Sequence, residues 1–441
     1  MDVFLKIRLC LEEAKMALDA LKVLRDRGYI DWCSHPEELE ELFREDRVTA
    51  YVGFDPTADS LHVGHLIPLM GLAWLQKLGH RPVVLAGGGT GMIGDPSGKS
   101  KERNLLSIEQ IRKNVEAVKK QLSHFVSFDS GDNSALLVNN YDWLNSMTFL
   151  EFLRDVGKHF TVNYMVAKEH VKSRLGDPEK SISFTEFSYT LLQAYDFLHL
   201  YRTYGCKLQM GGNDQQGNIV SGIDLIRKTD GAQVYGGTNP LLLTSSGTKF
   251  GKTEGGAVWL DRAKTSPYRF YQFWVNSEDQ AVEKLLKLFT FLSLEKISEI
   301  MEEHSVSPER REAQKILAME LTSLVHGKDR AETARRASEI LFGGAFDPVE
   351  LSSEMMKVLA AEVPYFEVGD ISRPLIDIMV DSAVSSSKGE ARRLIKGGGV
   401  SVNGNRISDE RMELDGSWLL QEGYLFLKVG KKKFFVLKTA N

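Results

Sequence analysis

One run of residues restricts the fold of this chain more than any other. Thr49 to Phe54 is a short β-branched and aromatic segment, broken at Asp55-Pro56-Thr57 and followed by Leu61-His62-Val63-Gly64-His65. The first part suits a buried strand. Asp59 or Ser60 is placed to cap the helix that follows. That helix is apolar for most of its length, with Leu66, Ile67, Leu69, Met70, Leu72, Ala73, Trp74 and Leu75. His62 and His65 therefore fall in its first turn, where free backbone N–H groups and the helix dipole favour an anion. Gly64 leaves room for a flat ligand ring on the backbone. Plain surface histidines are the alternative, but the strand–turn–helix setting suits ATP phosphates. Zinc suits it less, because no third and fourth ligand stands nearby at metal spacing, and no protein metal site is expected.

The next units repeat the α/β pattern. Arg81 to Ala86 reads as a buried strand that runs into Gly87-Gly88-Gly89-Thr90-Gly91-Met92-Ile93-Gly94-Asp95, so strand, helix, strand and glycine turn make a parallel unit. Gly89 to Gly94 satisfies G-x-G-x-x-G, the dinucleotide fingerprint, yet Asp95-Pro96-Ser97-Gly98 breaks the helix it should open. The acid about twenty residues on, Glu109, lies in a charged helix and not at a strand end. A dinucleotide dehydrogenase is rejected on those grounds. Short strands such as Leu136 to Asn140 and Cys206 to Met210 alternate with helices as far as Leu260. From Ser266 to Phe342 amphipathic helices take over, including Asp279 to Leu292 and Ala313 to Val325. Residues 346–372 are mixed and expected to connect domains. Leu375 to Val384 is helical, Ser387 to Ile395 is a basic helix, and Val400 to Val402 leads through the turn Asn403-Gly404-Asn405 to two strands near Tyr424 and Phe434.

With 441 residues, two or three domains are expected. The formal net charge of −5 argues against a uniformly basic nucleic-acid binder. It hides an asymmetry: residues 371–441 hold twelve Lys and Arg against eight Asp and Glu, a balance of +4 that leaves −9 for the rest. A basic tail on an acidic body suggests RNA contact at one end, although solvated charge gives the same balance. Cys10, Cys33 and Cys206 are too few and unpatterned for a disulfide framework and fit a reducing compartment. No apolar run approaches the roughly 18 residues of a membrane span. Residues from about 2 to 26 have helical periodicity without a signal-peptide cleavage pattern.

Three further constellations carry chemistry. Lys249-Phe250-Gly251-Lys252-Thr253 is a glycine loop with two lysines and a hydroxyl, suited to closing over a triphosphate and following charge onto departing pyrophosphate. Tyr189, Gln193 and Asp196 fall at i, i+4 and i+7, a polar stripe on a helix rich in Phe, Leu and Tyr, and a ligand can satisfy such groups when buried. Gln209 to Asn218, with Gly211-Gly212-Asn213-Asp214-Gln215, follows a strand and lets backbone approach a ligand. Each has a bland counterpart: a solvated turn, core packing, an ordinary glycine turn.

The His-Val-Gly-His turn resembles the HIGH motif of class I aminoacyl-tRNA synthetases, and Tyr51 through Leu61 resembles their tyrosyl members. The Lys249 loop is similar to the divergent KMSKS loop of those enzymes. The basic helix with Val400-Ser401-Val402-Asn403-Gly404 resembles the S4 RNA-binding module. The resemblance runs from about residue 21 to the end. It implies a Rossmann-like parallel-sheet catalytic domain at 28–262 with a dimerisation insert, after an extension at 1–27. An α-helical anticodon-binding domain at 263–345, a linker at 346–372 and a small α+β S4-like domain at 373–441 would follow. The activity implied is ligation of L-tyrosine to tRNA(Tyr) with ATP, its Mg²⁺ carried on the phosphates, by a homodimer in the cytoplasm or an organellar matrix.

By the same resemblance, Tyr51 and Asp196 bond the phenol hydroxyl, Tyr189, Gln193 and Asp95 hold the ammonium group, and Gln215 lies near the carboxylate. Thr57, His62, Lys249, Lys252 and Thr253 take the transferring phosphates. His65 and Asp214 orient ribose, Gly53, Asp55, Gly64 and Gly212 border the nucleotide, and Lys99 and Arg103 contact pyrophosphate. Lys388, Arg392, Arg393, Lys396, Lys431 and Lys432 face RNA. A site built to bond a hydroxyl rejects phenylalanine, and tyrosyl enzymes are themselves the standard instance, at roughly a factor of 10⁵. Two positions depart from the pattern: Gln216, where tryptophan is usual, and Val52, where cysteine is frequent. A small-molecule adenylyltransferase and a synthetase-derived RNA-binding or splicing factor remain as alternatives.

Overall fold

The computed structural model describes residues 20–97, 107–129, 131–176, 182–242, 250–253, 256–342, 346–430 and 433–439. The chain divides into two compact units, one running to Thr265 and resuming over Ser277–Leu317, the other made of Ser266–Asn276 and Ala318 onward.

The first unit is built on a six-stranded sheet of β1 (Trp32–Cys33), β2 (Thr49–Phe54), β3 (Arg81–Ala86), β4 (Leu136–Asn139), β5 (Leu208–Gly212) and β6 (Tyr235–Asn239), in the order β1-β6-β5-β2-β3-β4. Strands β2 to β6 run parallel and only the short β1 pairs antiparallel, to β6. Both faces are covered, so the central strands β2 and β3 are largely apolar, as Val83, Val84 and Leu85 illustrate. On one face lies the Leu66–Lys77 helix, nine of whose twelve residues are buried, with Gly71 allowing Met210 to approach. On the other, Tyr51, Val83 and Leu85 pack with Phe197, Ile219 and Ile223 from the Phe184–Tyr204 and Gln216–Asp230 helices. This is the doubly wound, Rossmann-like arrangement expected from the alternation of elements.

The helices expected after Ser266 are Pro267–Val275, Asp279–Phe289, Leu294–Val306, Glu312–His326 and Lys328–Leu341. Strands β7 (Lys252–Thr253) and β8 (Gly256–Ala257) form a separate two-stranded ladder ahead of them. In the second unit, β9 (Tyr365–Val368), β10 (Val400–Val402), β11 (Asn405–Ile407), β12 (Tyr424–Val429) and β13 (Lys433–Thr439) form one sheet, ordered β11-β10-β12-β13-β9. The Leu375–Asp381 and Lys388–Lys396 helices share a core with it.

The stretch 346–372 is more than a connector. It holds the Ser353–Glu362 helix and the edge strand β9, which pairs parallel with β13. That strand leaves little pattern in the sequence because it is four residues long with Tyr365 and Glu367 turned to solvent. Among the described residues no helix is long and apolar enough to cross a membrane.

Candidate active site

Where strand order reverses, at the carboxyl ends of β2 and β5, a cleft of about 290 Å³ opens. Tyr51, Gly53, Asp55, Thr57, His65, Asp95, Tyr189, Gln193, Asp196, Gly212, Asp214 and Gln215 all line it. Residues drawn from four separate stretches of sequence thus share one cavity, and His62 and Gly64 stand on the same turn as His65. Lys99, Arg103 and Lys249 lie outside the described residues, and Lys252 and Thr253 are placed by their backbone in β7.

The histidine turn is built differently from the expectation of open backbone donors. Val63–His65 is a single 3-10 turn capped by His62. The Nδ1 of His62 accepts the Gly64 N–H at 3.0 Å, and the Nδ1 of His65 accepts the His62 N–H at 3.1 Å. The Val63 N–H is bonded to the Val258 carbonyl and that of His65 to the His62 carbonyl. The first-turn amides are therefore engaged within the protein. With both Nδ1 atoms accepting, each imidazole carries its proton on Nε2 and presents it as a donor. Burial, with the His62 ring 4.0 Å away, pushes His65 down to about 3, so it acts as a neutral donor.

Neither Asp59 nor Ser60 caps this helix, contrary to expectation. Asp59 pairs with Lys264, and the Ser60 hydroxyl bonds the Leu61 carbonyl and Gln121. Gly64 has a use beyond ligand access, since a Cβ there would stand 2.8 Å from the His62 ring. The turn also meets the second motif. Gly251, at φ +85°, has no room for a Cβ against Val63, its carbonyl accepts the Val258 N–H, and His62 bridges to Trp259.

At the inner end of the cleft Asp196 is buried and accepts two hydrogen bonds, from the Asn140 side-chain amide at 2.9 Å and the Trp143 indole at 2.8 Å. Burial raises its carboxyl to about 7 against the pull of those donors, and the Asp55 carboxylate adds to the rise. The Tyr51 hydroxyl is buried with no hydrogen-bond partner among the described residues, and burial beside Asp196 raises its pKa well above the usual phenol value. An orphaned hydroxyl and a carboxylate with remaining lone pairs in one cavity suit a ligand hydroxyl that both accepts and donates.

Further out, the Gln215 amide donates to Asp95 at 2.7 Å, and Gln193 donates to the Gln215 side-chain oxygen at 3.2 Å. Buried Asn218 ties this group together, donating to Gln193 at 3.0 Å and accepting from Thr190 at 2.8 Å. The sequence reading assigned no role to Asn140, Trp143 or Asn218; the only local signals were the Asn139-Asn140 pair ending a strand and Asn218 in the glycine-rich run. Gln216 opens its helix exposed and is not among the lining residues, whereas Val52 is buried and lines the cleft.

In the second unit, Arg392 and Arg393 are exposed on the Lys388–Lys396 helix, while Lys388 pairs with Asp377 at 2.8 Å and Lys396 with Glu410 at 3.1 Å. Exposed pairs of this kind are worth about 0–1 kcal/mol and can give way to phosphate. Lys431 and Lys432 lie outside the described residues.

The profile of tRNA synthetases class I (W and Y) matches residues 44–343, and that of the tyrosine–tRNA ligase SYY-like C-terminal domain matches residues 354–437. A tyrosine–tRNA ligase of Anaeromyxobacter dehalogenans is 52% identical over 404 residues, 91% of this chain and 95% of the relative. One from Geobacillus stearothermophilus is 48% identical over 426 residues, 96% of this chain and all of the relative. Among solved structures, a C-terminally truncated mitochondrial tyrosyl-tRNA synthetase of Aspergillus nidulans superposes with a TM-score of 0.67 at 35% identity, over 75% of this chain and 98% of that one. With both its sheet-built cleft and its C-terminal unit matched in this way, the chain belongs to the class I tRNA synthetases of the tryptophan and tyrosine family and carries the C-terminal domain of the tyrosine–tRNA ligases.

Proposed function

We infer that the protein activates L-tyrosine with ATP to tyrosyl-adenylate and pyrophosphate and then esterifies the terminal adenosine of tRNA(Tyr). One observation carries the reading: Tyr51 and Asp196 border the same cleft as His65 of the histidine turn and the β5 glycines Gly211 and Gly212. Tyrosine would lie with its phenol hydroxyl between Tyr51 and Asp196 and its ammonium group at Asp95, Tyr189 and Gln193. Its carboxylate, already ionised, attacks the α-phosphorus in line, so the protein supplies alignment and charge stabilisation and no nucleophile. The Nε2 protons of His62 and His65, with Thr57, would meet the phosphates and ribose as neutral donors, and Asp214 would accept from ribose. The lysines of the Lys249–Thr253 loop, with Lys99 and Arg103, would take the pyrophosphate charge. Mg²⁺ carried on the ATP phosphates would supply further neutralisation of their negative charge.

The exposed apolar surface around Phe149, Leu150, Val162 and Phe184 borders a groove of about 560 Å³ lined by Leu144, Phe152, Met165 and Leu191. Such a patch marks a protein interface, and a second copy of the chain would cover it. The helical region would read the anticodon arm and the basic C-terminal unit, through Arg392 and Arg393, would hold tRNA backbone, in a cytoplasmic setting. ATP–pyrophosphate exchange with each of the twenty amino acids tests the assignment. Tyrosine-dependent exchange is expected; exchange with none would favour an RNA-binding factor, and exchange only with another acceptor would favour an adenylyltransferase.

A further inference from the structure

The glycine run after β3 has no place in the chemistry so far, although its pattern stands out in the sequence. None of Gly87, Gly88 and Gly89 has a positive φ. What requires glycine is close approach. A Cβ on Gly87 would overlap the Asp55 carboxylate and stand 2.6 Å from the Thr90 hydroxyl oxygen, one on Gly88 would overlap the Asn139 amide, and one on Gly89 would stand 2.9 Å from Leu144. The turn has been stripped of side chains so that polar groups from β2, β4 and the one-turn Thr90–Ile93 helix can meet beneath it.

They meet in a fixed order. The Thr90 hydroxyl donates to Asp55 Oδ1 at 3.2 Å and accepts from the Asn140 amide nitrogen at 2.9 Å. The second proton of that nitrogen goes to Asp196 Oδ2 at 2.9 Å. Asn140 cannot be turned over, because its oxygen accepts the Gly89 N–H at 2.7 Å. Thr90 lines the cleft but is only 4% exposed and Asn140 is fully buried, so the two bonds donated by the Asn140 amide are shielded from bulk water. One chain of donors therefore serves two carboxylates, Asp55 at the strand end beside the nucleotide residues and Asp196 at the far end of the cleft.

We propose that Thr90 is a positioning residue that directs the Asn140 amide onto Asp196 and helps aim the Asp55 carboxylate, so that one hydroxyl links the two ends of the cleft. The inference rests on the tyrosine-ligase reading and extends it to a residue that touches neither reacting atom. Without the hydroxyl, one buried Asn140 N–H loses its acceptor and the amide is held by the Gly89 N–H and Asp196 without it, which loosens its aim at the Asp196 carboxylate.

The test is Thr90→Val beside Thr90→Ser in tyrosine- and phenylalanine-dependent ATP–pyrophosphate exchange. Thr90→Val, equal in shape but without the hydroxyl, is expected to lose about tenfold in kcat/KM for tyrosine and to lower the tyrosine-over-phenylalanine ratio by a similar factor. Thr90→Ser is expected to stay within about twofold of the parent protein on both measures. Should Thr90→Val fail to fold in a thermal-unfolding check, Thr90→Ala removes the same hydroxyl and carries the same expectation. Unchanged kinetics and discrimination without the hydroxyl, or Thr90→Ser as impaired as Thr90→Val, overturns the proposal while parental exchange leaves the ligase reading intact. Absence of tyrosine-dependent exchange in the parent protein overturns both together.

Discussion

The indole of Trp143 donates to the Asp196 carboxylate at 2.8 Å and stacks on the His199 ring, with ring centroids 4.3 Å apart. The residue that would read the substrate hydroxyl is thus aimed by a side chain 53 positions earlier in the chain. Trp143→Phe keeps the aromatic stack and removes the donor. A buried charge that loses one of two donors is expected to cost about 1–3 kcal/mol. Tyrosine-dependent exchange should therefore fall roughly tenfold or more in kcat/KM with the KM for ATP little changed, as steady-state kinetics would show; a parental value would mean that the indole bond does not orient the carboxylate.

Asp196 makes stability depend on pH with a definite sign. Its carboxyl lies near 7 in the folded protein and near the ordinary value of about 4 when unfolded. Between those values the native state keeps a proton that the unfolded chain has released, so this group's stabilising contribution is present in acid and lost as pH rises to 7. Compared with Asp196→Asn, the ligand-free parent protein should lose on the order of 3–4 kcal/mol from pH 4 to pH 8. Urea titrations of both proteins across that range check the slope; a difference that grows with pH in the opposite direction contradicts it.

Gly64→Ala should separate the nucleotide from the amino acid. The added Cβ meets the His62 ring at 2.8 Å and must displace it, losing a cap worth about 1 kcal/mol and the aim of its Nε2 proton. The KM for ATP is expected to rise tenfold or more while equilibrium binding of tyrosine alone is unchanged. Equal losses for both ligands would place the damage elsewhere in the fold.

If the apolar groove is covered by a second copy, a charge placed on its rim should separate the copies. Phe184, 69% exposed, and Leu150, 76% exposed, are the residues to change. Leu150→Asp together with Phe184→Glu should convert a dimer to a monomer in sedimentation velocity at micromolar concentration, with far-ultraviolet circular dichroism unchanged. An unaltered sedimentation coefficient removes this surface from the interface.

The buried pair Arg174–Glu186 joins the Glu169–Leu175 helix to the first turn of the helix that carries Tyr189, Gln193 and Asp196, with bonds of 2.7 and 3.0 Å. Removing one partner strands the other charge, at about 3–5 kcal/mol. Glu186→Ala should therefore lower the unfolding midpoint in urea far more than Glu151→Ala, whose carboxylate caps an exposed helix. Equal small shifts would show that the pair carries no stability.

Those parts of the site that depend on neighbours in sequence could be read before any coordinates. Tyr189, Gln193 and Asp196 share a face because a helix repeats every 3.6 residues, and the His62 turn follows from a strand broken by proline. The cap of that turn differs from the local expectation for a physical reason. Asp59 and Ser60 are captured by Lys264 and Gln121, 205 and 61 residues away, while the imidazoles lie nearer the amides. β9 and β1 are not legible in the sequence because two to four residues at a sheet edge carry too little pattern against base composition.

The sequence alone determined the alternation that makes a parallel sheet, the change to helices after Ser266, the basic tail, and which polar residues had no reason to be buried unless a ligand met them. Tertiary structure alone decided which distant donors reach Asp196, how Gly87 to Gly89 open space for Thr90 and Asn140, and that the histidines, rather than bare backbone, present the donors. Periodicity is set by local backbone geometry and is written along the chain. Hydrogen-bond partners fifty residues apart are selected by packing, which no local spacing encodes.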